Sequence, residues 1–225
     1  MNYKFHRFDS KKKFLDEVSK KVCAELSMAI LKKGKANLLV SGGSSPRMIF
    51  SKLSSIDLDW GKVQIFLCDE RISESDKDRR NASLVNNYLR VLKAKKANFL
   101  DFNEYLSSYK TLHDKLNEVI FDSLILSFGS DGHVASIFAD SYEKAFHLEN
   151  DEYFFTQEYS DFRNSRISIN VKKILQSKKL NFFLIGKEKE DILLDVLKLN
   201  SPIKNIPLSY LIIQSSVPLD IYYLE

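Results

Sequence analysis

Between residues 11 and 33 the apolar side chains Phe14, Leu15, Val18, Val22, Leu26, Ala29 and Ile30 recur in steps of three and four. That spacing gathers them on one face of a helix, and Gly34 is placed to end it. The pattern then changes. Residues 37–41 (NLLVS) form a short apolar run of strand length, and 63–68, 122–128 and 180–185 repeat it. Between these runs, residues 46–53, 82–92, 105–120 and 187–199 return to helical spacing. Strands that read as continuous apolar runs, alternating with helices, predict an α/β fold: a single Rossmann-like domain over residues 1–225, its mostly parallel sheet covered by helices on both faces. Residues 152–157, 165–171, 210–214 and 221–224 predict further strands. No internal repeat, low-complexity tract or linker interrupts the pattern.

Composition narrows the class. Of 225 residues, 44% are hydrophobic and 12% aromatic, ample for a buried core. A net charge of +4 argues against a strongly basic nucleic-acid binder. The lysines at 11–13, 32–35 and 93–96 lie in or beside amphipathic stretches without interleaved aromatics, as solvated helix faces do. Two cysteines, Cys23 and Cys68, exclude a disulfide scaffold and a Cys-rich zinc module. Residues 1–13 carry charges throughout, unlike a signal peptide. The longest uncharged run, 205–219, is too short to span a bilayer and is broken by Pro207 and Pro218. A soluble cytoplasmic protein, with neither membrane nor nucleic acid among its partners, is expected.

Glycine is scarce, seven in all, about half the usual ~7%. Five of them follow predicted strands: Gly42 and Gly43, then Gly129 and Gly132, then Gly186. In open α/β sheets ligands bind beyond the carboxyl ends of the strands, where close backbone approach favours glycine. The first such turn, Ser41-Gly42-Gly43-Ser44-Ser45-Pro46, opens a helix, with Ser45 placed to cap it and Pro46 at the first helical position. Free N–H groups there suit an anion, although an ordinary capped turn accounts for the residues equally well. The second turn, Asp69-Glu70-Arg71, is either a local ion pair at a strand end or an arginine fork for phosphate. The third, Gly129-Ser130-Asp131-Gly132-His133, sets a histidine between glycines, poised for acid–base work. His6, His113 and His147 sit in polar or helical contexts and look structural. No second ligand stands at metal spacing around His133, so no metal and no cofactor are expected.

Together these turns resemble the 6-phosphogluconolactonase family. The resemblance runs in order through the Ser41–Pro46 turn, Trp60 with the strand ending in Asp69-Glu70-Arg71, Asn81, the stretch from Asp131 to Phe138, Arg166-Ile167-Ser168-Ile169 and Gly186-Lys187-Glu188-Lys189. Ser127 stands where the family usually has glycine, Arg80 where it has serine and Glu74 where proline is common. The resemblance implies a cytosolic hydrolase of the pentose phosphate pathway acting on 6-phospho-D-glucono-1,5-lactone, monomeric or a small homo-oligomer. His133 would activate water, with Asp131 orienting it. Gly42, Gly43, Ser44, Asp69, Arg71, Arg166 and Lys189 would hold the substrate and its phosphate. Glucosamine-6-phosphate deaminases share such turns but carry an Asn-Glu pair where this chain has Ile137-Phe138, neither of which transfers a proton. A non-catalytic sugar-phosphate-sensing domain would need an attached DNA-binding module, for which the chain before the first core strand is too short.

Overall fold

The computed structural model describes residues 3–72, 77–146, 153–160, 165–213 and 216–225. In chain order it contains β1 (Tyr3–Phe8), α1 (Lys11–Lys33), β2 (Ala36–Val40), α2 (Ser44–Leu53), β3 (Val63–Leu67), β4 (Asp69–Arg71) and α3 (Asn81–Leu84). There follow β5 (Asn98–Leu100), α4 (Tyr109–Asn117), β6 (Ser123–Ile125), α5 (Tyr142–Phe146), β7 (Phe154–Gln157) and β8 (Arg166–Ile169). The chain closes with α6 (Val171–Leu175), β9 (Leu180–Ile185), α7 (Lys187–Leu197), α8 (Leu208–Ile213) and β10 (Leu219–Leu224).

Two parallel ladders, β5-β3-β2-β6 and β9-β10-β1, meet where Leu126 bridges Phe182. Leu126 N–H donates to Asn181 O at 3.1 Å, and Phe183 N–H donates to Leu126 O at 2.9 Å. The result is one parallel sheet flanked by helices, as the apolar strand pattern requires: Leu38, Leu39, Val40, Ile65, Leu67, Leu124 and Ile125 are fully buried. From β2 the chain steps outward through β3 to β5, then returns to place β6 on the other side of β2. The turns after β2 and β6 therefore part from one another and open a crevice. A small antiparallel sheet, β4-β8-β7, continues beyond the carboxyl end of β3 and walls that crevice.

The long helix α1 has the predicted bounds. Ser10 caps it, accepting from Lys13 N–H at 3.4 Å, and Gly34 closes it in the left-handed region with φ 78°. Phe14, Val18, Val22, Leu26 and Ala29 form its buried stripe. Several local expectations change. Of residues 210–214, expected as a strand, 210–213 belong to α8: Leu208, Leu211 and Ile212 are buried at helical spacing, and Pro207 suits a helix start. Gln214 lies outside the described residues. The expected helix over 82–92 is one α-turn followed by a π-helical segment (Val85–Leu89), and Leu92 then takes φ 49°. Asp69–Arg71, expected as a turn, is a strand because its backbone pairs with β8. The expected strand 152–157 is seen as β7, with Glu152 outside the described residues.

Candidate active site

The first wall of the crevice is the turn after β2. Helix α2 begins at Ser44 with Gly43 (φ 104°) as its N-cap, two residues earlier than the sequence suggests, so Ser45 lies inside the first turn. No side chain caps this end, which leaves first-turn N–H groups for a ligand. Gly42 must be glycine for a different reason. A Cβ there would lie 2.0 Å from the amide oxygen of Asn81, which fills the space instead.

Asn81 in turn reaches the second wall. Its Nδ2 donates to Asp69 O at 2.9 Å and to Asp69 Oδ1 at 3.2 Å. The buried Asp69 carboxylate also accepts from Ser136 Oγ at 2.6 Å and faces the Arg166 guanidinium at 3.6 Å. Burial pulls the pKa of Arg166 down, and Asp69 opposes that shift. Glu70 points the other way. It is fully buried and accepts three backbone N–H groups, from Arg71 at 2.7 Å, Asn81 at 2.8 Å and Ala82 at 2.7 Å. Burial pushes its carboxyl pKa up. Glu70 is thus a structural cap for α3, while Asp69 faces the crevice. Arg71 donates to the backbone carbonyl of Arg79.

The third wall carries the histidine. Gly129 N–H donates to His133 O at 2.9 Å, and Gly132 takes φ 77°, so the chain folds tightly back after β6. Asp131 Oδ1 accepts from His133 N–H at 3.1 Å and lies 2.5 Å from His133 Nδ1. That side-chain hydrogen bond holds the Asp131 carboxyl down at about 2. A carboxylate charged at neutral pH can only accept, so Nδ1 carries the proton of a neutral ring and Nε2 is its basic nitrogen. The ring lies 4.4 Å from that of Phe138. Ala135, beside it, takes φ 55°, a strained value for a residue with a side chain, of the kind that clusters at functional turns. From the start of α7, Lys189 Nζ donates to Ser127 Oγ at 2.8 Å, and burial lowers its pKa.

These walls enclose a cleft of about 910 Å³. It brings together all the residues that the sequence singled out for a site: His133, Asp131, Gly42, Gly43, Ser44, Asp69, Arg71, Arg166 and Lys189. It adds Arg79, Ser127 and Phe138, to which the sequence had given no role, and shows what Asn81 does. The fit is close enough to test. A Cβ on Gly129 would lie 2.2 Å from His133 Cε1 and 2.3 Å from Nδ1. Gly129→Ala should therefore turn the imidazole out of place and lower kcat at least ten-fold, about 1.4 kcal/mol. Steady-state kinetics, with circular dichroism to confirm the fold, checks this.

Residues 9–217 match the family described as Glucosamine-6-phosphate isomerases/6-phosphogluconolactonase. The chain belongs to this family. Its similarity to a 6-phosphogluconolactonase of Helicobacter pylori is 31% identity over 204 residues, 87% of this chain and 86% of the relative. A 6-phosphogluconolactonase of Rhizobium meliloti is 27% identical over 231 residues, covering 99% of each. Among solved structures, a 6-phosphogluconolactonase from Shewanella baltica superposes with a TM-score of 0.88 at 28% identity, covering 98% of this chain and 97% of that one. A monomeric glucosamine-6-phosphate deaminase shares the fold with a TM-score of 0.74 at 14% identity. The fold alone therefore does not separate the two chemistries of the family. Among the described residues no helix is long and apolar enough to cross a membrane.

Proposed function

We propose that this chain hydrolyses 6-phospho-D-glucono-1,5-lactone to 6-phospho-D-gluconate, as a cytoplasmic enzyme of the pentose phosphate pathway. The observation that carries the choice is the surroundings of His133. Asp131 orients the imidazole on one side, and the Phe138 ring packs beside it where a deaminase needs a proton-transferring carboxylate. The names of the relatives support the same reading.

A δ-lactone is an activated ester, so an oriented base and a site for the developing charge suffice. His133 Nε2 takes a proton from water as the water oxygen bonds to C1. The carbonyl oxygen becomes an oxyanion, which the N–H groups around Gly42, Gly43 and the first turn of α2 stabilise. The C1–ring-oxygen bond then breaks, and the imidazolium returns its proton to the departing ring oxygen, now a hydroxyl. Throughout, Asp131 stays charged and holds the ring. Arg71, Arg166 and Lys189 supply the cations for the phosphate, with Ser44 as a further donor.

The test is a pH-stat assay of purified protein on freshly prepared lactone, with spontaneous opening subtracted and a chelator present throughout. Acid release well above background, unaffected by the chelator, is expected. No release from the lactone, with ammonia released from glucosamine 6-phosphate instead, would replace this reading with deamination.

A further inference from the structure

Three consecutive residues at the start of α3 face opposite ways. Arg79 and Asn81 line the cleft, whereas Arg80 between them does not. Its guanidinium instead meets Asp101, with Nη2 at 2.6 Å from Oδ1 and 2.5 Å from Oδ2, and its Nε lies 3.7 Å from Glu70 Oε2. Both partners are well covered, at 15% and 18% side-chain exposure, so water screens this pair less than a surface pair. Arg80 itself has extended backbone, φ −71° and ψ 146°, the conformation that turns its neighbours to the far side. The Arg79 carbonyl is held as well, by the side chain of Arg71.

We propose that Arg79 is a further contact for the substrate phosphate, and that Arg80, through Asp101, is the positioning residue that aims it. This rests on the phosphorylated-lactone reading above. Arg79 is exposed on the same cleft as Arg71, Arg166 and Lys189, so an entering dianion meets a fourth cation. Arg80 contributes no charge to the cleft. It spends its fork on Asp101 and lies against the buried Glu70, which receives the backbone N–H groups of Asn81 and Ala82. Removing Arg80 leaves two covered carboxylates short of a cation and loosens the backbone that presents Arg79.

The experiment is a double-mutant cycle of Arg79→Ala and Arg80→Ala, read as kcat and KM on the phosphorylated lactone and on unphosphorylated glucono-lactone. Each single variant should raise KM for the phosphorylated substrate about ten-fold, the effect of one lost charge-assisted hydrogen bond, with kcat little changed. KM for the unphosphorylated lactone should not move. The double variant should be no worse than Arg79→Ala, because Arg80 acts through Arg79. Asp101→Asn, which preserves shape, should reproduce the Arg80→Ala shift and serves if Arg80→Ala folds poorly. Additive losses, equal losses on both lactones, or unchanged KM in both single variants would overturn the proposal. If the wild type opens neither lactone, the hydrolase reading fails by itself. The same cycle is then read from calorimetric binding of 6-phosphogluconate, where matched, non-additive weakening supports the proposal and no weakening, or no binding by the wild type, overturns it.

Discussion

Replacing His133 with alanine should lower kcat on the phosphorylated lactone by ~10²–10⁴-fold, the usual contribution of a positioned general base. The fold should survive, because the ring is about a third exposed and its bonds are confined to its own turn. KM should change little, since the cations assigned to the phosphate are on other elements. His113→Ala is the control. That ring stacks on Tyr153 at 5.5 Å, and the variant should keep wild-type turnover. A His133→Ala enzyme with near-normal kcat would remove the histidine from the chemistry. Asp131→Asn probes the same pair from the other side. The folded carboxyl sits at about 2, below its ordinary 3.8, so its contribution to stability is present above the ordinary value. That contribution is lost as pH falls from 3.8 toward about 2. Wild type and Asp131→Asn should therefore differ in stability at neutral pH and converge in acid, which acid-unfolding curves measure.

The parts of this site that were legible in the sequence are those fixed by local backbone needs. Gly42, Gly43, Gly129 and Gly132 stand out because glycine is rare here, and each follows an apolar strand. The helix α1 was legible to its last residue because its apolar stripe and its Gly34 stop agree; the Ser10 cap emerged only in the structure. Some short elements were not legible. Leu208–Ile213 is a mostly apolar segment of six residues, too short for periodicity to separate helix from strand, and tertiary packing made it helical. The edge strand β1 carries Lys4 and Arg7, charges that disguise a strand while protecting the edge of the sheet. Long-range partners left no local trace. Nothing near Gly42 announces that Asn81 occupies its missing side chain, and nothing near Arg80 announces Asp101, 21 residues on. For the same reason the residues themselves do not tell Asp69 from Glu70; the family resemblance assigned Asp69 alone to the substrate, and β4 shows the physical ground by turning one toward the cleft and the other toward α3.

Lys189→Ala should separate phosphate recognition from chemistry. Among the described residues the hydrogen bond shown for its ammonium goes to the neutral Ser127 hydroxyl, and burial makes the charge costly. Arg166 already faces Asp69, and Arg71 already donates to a carbonyl. A half-buried cation whose hydrogen bond goes to a neutral hydroxyl gains more from an arriving dianion than one already facing a carboxylate. Its loss should cost roughly 1.5–3 kcal/mol, the range for hydrogen bonds to charged groups. That is about ten- to a hundred-fold in kcat/KM. If the phosphate is held equally in ground and transition states, the whole loss appears in KM; if it also positions C1 against the water, kcat falls too. Since burial lowers the pKa of Lys189, the free enzyme loses this proton at a lower pH than an ordinary lysine would. KM for the phosphorylated lactone should accordingly climb on the alkaline side, and Lys189→Arg, which keeps its charge, should flatten that climb. The unphosphorylated lactone is the deciding comparison. Wild type should use it poorly, and Lys189→Ala should use it no worse than wild type does. Equal impairment on both lactones would mean that Lys189 supports the fold or the reacting centre, and the phosphate would then have to be held by the arginines.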